Sequence, residues 1–458
     1  MQDGNRKQGL NRVRIGLCTS AHRTGKKGTA MLIGAVADDI TGATDLCLML
    51  TREGLRTVQV MGVPKAGQSF PDADAIVIAL KSRSIPADQA VAMSVTAARA
   101  LLEAGAQQIL FKYCSTFDST DAGNIGPVTE ALMHLTNCPL TIACPSFPAA
   151  GRTTYLGHLF VGAALLSDSP LKDHPLNPMH DANLVRVLGR QTGLPVGLVP
   201  IRTIRNGEAA VRDAFAVERA AGKRILITDT LEDDDLRVIG AACADMGLVT
   251  GGSGIALGLA ANFVKAGKVM ARPAQTTMAA PNGRSVILAG SCSAATRGQI
   301  AAAQTVGYPT KVLDVDALAA GRQTAEDLAN WVTAQPAATI PVLYSSADPV
   351  ALRAIQTRMG QHASGALVEA TLAEVARLLQ SEGFTRFLIA GGETSGAVVA
   401  ALGVTMLQIG PEIAPGVPWT RSIGAPDLVL ALKSGNFGAE DFFLTAWSLL
   451  EPEAAHVG

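Results

Sequence analysis

The chain has 458 residues, 38 Lys+Arg against 39 Asp+Glu, and a formal net charge of −1. That length exceeds one ordinary hydrophobic core and implies two domains, while a charge near zero excludes a dedicated nucleic-acid binder. Hydrophobic residues at 48% and charged residues at 17% exclude bulk disorder.

The first 30 residues stand apart. Arg6, Lys7, Arg12, Arg14, Arg23, Lys26 and Lys27 face one acid, Asp3. They read as a basic, disordered extension without the amphipathic pattern of a targeting peptide, and Met31 opens the folded part. From there, short continuous runs rich in Ile, Val and Leu predict buried parallel strands over 31–37, 56–62, 75–80, 107–113, 139–144, 194–199 and 224–228. Between and after them, helices are predicted over 42–53, 87–104, 182–192, 208–220, 234–246 and 254–265. Segment 266–284 holds two Pro and no period, and reads as a linker. A second series follows, with strands at 285–290, 310–315, 341–346, 385–390 and 427–432. Its helices are predicted over 294–306, 324–335, 350–361, 371–381, 395–402 and 440–450.

This alternation predicts an α/β protein of two domains, 31–265 and 285–458, each a largely parallel sheet flanked by helices, with the active site in the inter-domain cleft. No apolar run reaches the ~18–20 residues of a membrane span. Seven scattered Cys, an odd number with no CxxC pair, read as reduced thiols of a cytoplasmic protein and argue against zinc.

In such sheets, ligands gather where strand ends meet helix starts. The first strand ends in 38-DDITGATD-45. One Asp there would simply cap the helix. Asp38 and Asp39 together, with Asp45 about a turn on, can instead bind hydroxyls, accept a proton or hold a cation. The third strand ends in Lys81 and Arg83, which read either as solvated charge or as an anion pocket. Lys112 ends the fourth strand and precedes a run of Ser, Thr and Asp, either turn chemistry or another pocket wall. Arg152 and Thr153 follow the next strand as further anion contacts. Such strand ends suit a small, hydroxylated, acidic substrate.

The second half is different. Its strand ends, 289-AGSCSAATRG-298, 390-AGGETSGA-397 and 433-KSGNFGAED-441, are glycine turns into helices, as is 250-TGGSGIALG-258 in the first half. Exposed amides and the positive helix end at such turns favour phosphate, so three in one domain point to a nucleotide. The P-loop pattern, HRD, DFG, HExxH and GxSxG are all absent. Segment 252–258 reads GxGxxxG with no acid-ended strand about 20 residues on, which disfavours NAD.

The runs 37-ADDITGATD-45, 81-KSR-83, 151-GRTTYLGHLFVG-162, 250-TGGSGIALGLA-260, 290-GSCSAATRGQ-299, 391-GGETSG-396, 411-PEIAPGVPW-419 and 433-KSGNFGAEDFF-443 resemble, in this order, the four-carbon acid sugar kinase family. The resemblance spans about Met31 to Leu450. The GHLFVG segment, with 174-HPLNPMHDANLVRVL-188, is most similar to the 3-oxo-tetronate kinase branch, with D-threonate and D-erythronate kinases as near relatives.

The resemblance implies an N-terminal sugar-acid-binding domain and a C-terminal ATP-binding domain. It also implies ATP-dependent phosphorylation of the terminal 4-hydroxyl of a four-carbon sugar acid, a transfer for which Mg²⁺ is the expected phosphate-bridging cation. It places nucleotide contacts at Ser291, Ser293, Gly391, Gly392, Glu393, Thr394 and Gly435, and names no metal ligand. On this reading Asp39 accepts the hydroxyl proton, Asp38 and Asp45 orient the site, Lys112 adds to the substrate pocket, and Lys81, Arg83 and Arg152 grip the carboxylate. The family often carries KxDST where this chain has 112-KYCST-116, so the acid replaced by Cys114 must be dispensable or supplied by Asp118 or Asp121. The expected partners are the sugar acid and ATP, with no nucleic acid, no membrane and a homo-oligomer left open. Two competing readings are an NAD-dependent hydroxy-acid oxidoreductase, which lacks its fingerprint here, and a non-catalytic two-lobed binder, which leaves the glycine turns unexplained.

Overall fold

The structure is a computed structural model that describes residues 31–65, 67–173, 177–270, 272–273, 275–345, 357 and 360–452. The basic extension, most of the 350–361 helix and His174 lie outside the described residues.

Eight parallel strands build the N-terminal half. In chain order they are β1 (Ile33–Ala37), β2 (Thr57–Met61), β3 (Ala75–Ala79), β4 (Gln108–Lys112), β5 (Thr141–Cys144), β6 (Val196–Val199), β7 (Ile225–Thr228) and β8 (Leu248–Gly251). Their order across the sheet is β2-β3-β1-β4-β8-β5-β7-β6. Every residue of β1 and β3 is buried, as continuous apolar runs sandwiched between helices require.

The C-terminal half adds β9 (Arg284–Ala289), β10 (Thr310–Val312), β11 (Val342–Tyr344), β12 (Phe384–Ala390), β13 (Met406–Ala414), β14 (Val417–Ser422) and β15 (Val429–Lys433). Five of these are parallel in the order β10-β11-β9-β12-β15, and then β14 and β13 run antiparallel. β13 pairs antiparallel with β2, through Met406 opposite Val60 and Gln408 opposite Val58. The two expected sheets are therefore one sheet of fifteen strands. Ile409 of β13 packs into a core of the N-terminal half.

Other differences have local causes. The helix Ile125–Leu135 and strand β8 join the N-terminal half without having been expected. Residues 152–165 form a separate three-stranded antiparallel sheet whose strands have only two to four residues, too short to carry a period. The 266–284 segment contains a strand, Met278–Ala280, that pairs with Leu450–Pro452. That pairing replaces the end of the helix expected over 440–450, of which Phe442–Thr445 is α-helical and Ala446–Leu449 is a 3-10 turn. The helix expected from 371 already begins at Gln361.

Four helices are needed below: α1 (Ile40–Arg52), α2 (Ala294–Thr305), α3 (Gln361–Ser381) and α4 (Gly392–Ala401). α1 is tied to β2 by a buried amide. Thr44 donates to Gln59 Oε1 at 2.9 Å, and Gln59 Nε2 donates to the Ile40 carbonyl at 3.1 Å.

Candidate active site

The ends of β1, β3 and β4 are laced together by backbone. The Asp38 amide donates to the Lys112 carbonyl at 3.0 Å, and the Asp38 carbonyl accepts from Ser82 at 2.9 Å and Arg83 at 3.2 Å. This brings Asp38, Asp39, Arg83 and Lys112 to one point.

Arg83 forks onto Asp38, with Nε at 2.9 Å and Nη2 at 2.8 Å, and Nη2 also reaches Asp39 Oδ1 at 2.5 Å. Lys112 Nζ lies 3.4 Å from the same Oδ1. The other Asp39 oxygen accepts from Thr41 Oγ1 at 2.9 Å and from the Gly42 amide at 3.1 Å, so Asp39 is the N-cap of α1. The cap and the paired-carboxylate readings thus hold for the same residue.

Electrostatics separate the acids. Burial pushes Asp38 upward, opposed by Arg83. Asp39 is also desolvated, yet Arg83, Lys112 and its two cap hydrogen bonds hold it well below the usual carboxylate range. Asp45 sits on the buried side of α1, accepts a hydrogen bond from Ser253 and leaves Oδ1 without a partner. Burial raises its pKa to about 6.

A cavity of about 740 Å³ opens above this cluster and is shared by both halves. The N-terminal half lines it with Asp38, Asp39, Thr41, Lys81, Arg83 and Asp118, among others. The C-terminal half lines it with the glycine turns at 290–292, 391–394 and 434–435. Of the residues the sequence singled out, Ser291, Gly391, Gly392, Glu393, Thr394 and Gly435 line the cavity. Ser293 stands behind it, capping α2 and donating to the Gly435 carbonyl at 2.6 Å. Lys112 and Asp45 lie beneath, while Arg152 does not line the cavity, and its guanidinium is turned to the carbonyl of Ala150. The fourth glycine segment is also elsewhere. Gly251 and Gly252 are buried against the backbone of Cys144 and Pro145, where a Cβ would fall within 2.4 Å of a carbonyl oxygen, so close packing explains these glycines.

Lys81 crosses the cleft. Its Nζ lies 2.5 Å from Glu393 and 3.8 Å from Glu369, both on the C-terminal half. Glu369 gave no sequence signal, because it is one acid within the long helix α3. Lys433 gave no signal of its own within its glycine motif, although it ends a buried strand as Lys112 does. Cys114 contacts Thr116 Oγ1 at 2.9 Å, and Thr116 donates to Asp118 at 2.7 Å, so an acid lies two short contacts from the substituted position. Among the described residues, no three His, Cys, Asp or Glu side chains stand together as a metal-ligand set. None of the described helices is long and apolar enough to cross a membrane.

Known proteins align with this division. Residues 33–259 match the family described as the sugar-binding N-terminal domain, and residues 286–443 the nucleotide-binding C-terminal domain. A 3-oxo-tetronate kinase of Burkholderia multivorans is 52% identical over 92% of this chain and 98% of its own length. One from Pseudomonas savastanoi pv. phaseolicola is 52% identical over 91% and 96%. A solved chain from Salmonella typhimurium superposes with TM-score 0.81 at 43% identity, covering 90% of this chain and 98% of that one. A solved Haemophilus influenzae chain gives 0.75 at 42%, covering 91% and 99%.

Proposed function

The chain belongs to the four-carbon acid sugar kinase family, and we propose that it transfers the γ-phosphoryl group of ATP to the 4-hydroxyl of 3-oxo-tetronate, giving 3-oxo-tetronate 4-phosphate. The shared cavity carries this reading: acid and base strand tips form one wall, and glycine turns suited to phosphate form the other. Its volume of about 740 Å³ falls within the range of ordinary ligand sites.

Each side of the cavity has its task. The turns at 290–292, 391–394 and 434–435 hold the triphosphate. Asp39 faces the cavity and takes the 4-hydroxyl as hydrogen-bond donor, then receives its proton. Strong basicity is not required, because phosphoryl transfer through a loose transition state depends mainly on position and charge. Arg83 is committed to two carboxylates, so its role is to hold Asp38 and Asp39 in register rather than to grip the substrate. Lys81 is the exposed cation, and its ion pairs are the ones that solvent screens. We assign it to the incoming anion. Asp118, reached through Thr116, supplies the acid that Cys114 lacks. Arg152 has no assigned contact. Mg²⁺ would neutralise phosphate charge when bound, and it keeps several waters, so few protein ligands are needed.

The division into sugar-acid and nucleotide domains follows the break at 266–284. The enzyme works in the cytoplasm, where ATP is present and its six described thiols stay reduced.

The decisive experiment measures ATP consumption with 3-oxo-tetronate, D-threonate, L-threonate and D-erythronate. Preference for 3-oxo-tetronate supports the assignment. Preference for another tetronate moves the substrate within the family, and no consumption with any of them defeats the kinase reading.

A further inference from the structure

Lys433 ends β15 with no exposed surface. Its Nζ lies 2.8 Å from the Gly435 carbonyl, 3.0 Å from that of Phe437, 3.1 Å from that of Ser434 and 3.2 Å from Thr296 Oγ1. No carboxylate among the described residues pairs with it. The neighbouring strand offers only Ala390 in register. From α2 come the Thr296 hydroxyl and the Gln299 amide, which donates to the carbonyls of Phe437, Gly438 and Ala439. The charged groups nearby are engaged or turned elsewhere. Arg297 donates to the Cys292 carbonyl, Glu393 pairs with Lys81, and Glu440 lies against Gly298. Asp441 precedes the helix Phe442–Thr445 and carries no bond to Lys433. Burial alone lowers the Lys433 pKa to about 8.

An unpaired ammonium in the interior is costly, and an apolar residue of similar size would ordinarily be the cheaper choice. The turn above it explains the cost. The Gly435 carbonyl accepts from Lys433, from Ser293 at 2.6 Å and from Thr296 at 3.0 Å. Gly435 itself presses against Ser291, whose Oγ would lie 2.4 Å from any Cβ added there. Three donors therefore pin the part of the cavity wall that approaches Ser291.

We propose that Lys433 is a positioning residue of the nucleotide site: from beneath, it fixes the Ser434–Gly435 wall and holds a positive charge that a bound triphosphate stabilises. The proposal rests on ATP occupying the C-terminal half. It requires the ammonium to be better stabilised with the polyanion above it than without, so ATP binding and protonation of Lys433 favour each other.

The test is calorimetric titration of the full chain with ATP at pH 8, in buffers of different ionisation enthalpy. This pH lies above the phosphate titration near 6, so proton uptake reports the protein. Wild type should take up a measurable fraction of a proton, at most about half, since a group near its pKa is half protonated before binding. Lys433→Met should abolish that uptake and weaken ATP about ten- to a hundredfold, the scale of hydrogen bonds to a charged group. Lys433→Arg should also abolish the uptake, because guanidinium does not titrate, while keeping affinity closer to wild type. Wild-type binding without proton uptake, or uptake unchanged in Lys433→Met, overturns the inference. That result needs no well-behaved variant. Wild type that binds no ATP at all instead defeats the kinase reading, and this inference falls with it.

Discussion

Asp39 accepts on one oxygen from the Thr41 hydroxyl and the Gly42 amide of its own helix, and on the other from Arg83 and Lys112. That arrangement allows structure and chemistry to be separated. Asn is as good an N-cap as Asp, so Asp39→Asn should leave the fold and ATP binding near wild type. It removes the charge that receives the hydroxyl proton, so turnover should fall by about 10²-fold or more. Steady-state turnover beside a nucleotide-binding titration checks this, and near-normal turnover would take Asp39 out of the role. Because its cationic neighbours keep Asp39 ionised well below the ordinary carboxylate range, it should not produce an acid limb in the activity profile.

Asp45 behaves oppositely. Its pKa is raised from 3.8 to about 6. Between those values the folded state binds more protons than the unfolded one, so stability falls as pH rises through that window and the loss is complete above about pH 6. Asp45→Asn should therefore stabilise the protein at pH 7.5, by at most about 3 kcal/mol at ~1.4 kcal/mol per pKa unit. The gain should vanish below pH 4, where the wild-type carboxyl is neutral in both states. Urea unfolding at the two pH values decides it, and an equal effect at both would refute a charge origin. The acids at 38, 39 and 45 were legible as a group because three carboxylates crowd one strand end. Their unequal roles were not, because those depend on Arg83 and Lys112 arriving from strands 45 and 73 residues away.

At the level of elements, the buried strands were readable because apolar runs of five residues admit few alternatives. Strands β13 and β14 were not, since Gly410, Pro411, Pro415 and Gly416 interrupt any period and pairing with β2 supplies the order. The same hairpin joins the two halves, and Lys81 spans the cleft between them to Glu393 at the start of α4. An exposed pair of this kind contributes only about 0–1 kcal/mol, so Lys81→Ala should hardly change the unfolding midpoint. If Lys81 leaves Glu393 for the incoming anion, the variant should instead raise KM for a substrate by about tenfold, the effect of one lost charged contact. Unchanged KM for both substrates would mean that Lys81 only decorates the rim.

Over the whole molecule, the continuous sheet makes a claim that two independent lobes would not. β13 and β14 belong by sequence to the C-terminal half. Yet β13 hydrogen-bonds β2, and Ile409 is buried in an N-terminal core, while Ile40 and Met61 pack against a C-terminal core. Unfolding either half exposes apolar surface and opens a strand ladder in the other, which couples the two transitions. Scanning calorimetry should show a single endotherm whose calorimetric and van't Hoff enthalpies agree, despite a length at which separate domains commonly melt apart. Gln408 is the place to break the coupling, because its side chain is exposed while its backbone sits between β2 and β14. Proline there removes an amide donor from the middle of a sheet without deleting buried apolar surface. Gln408→Pro should split the endotherm in two, with ATP shifting only the component from the C-terminal half. Two separated endotherms in the wild type would mean that the β2–β13 pairing transmits no stability between the halves.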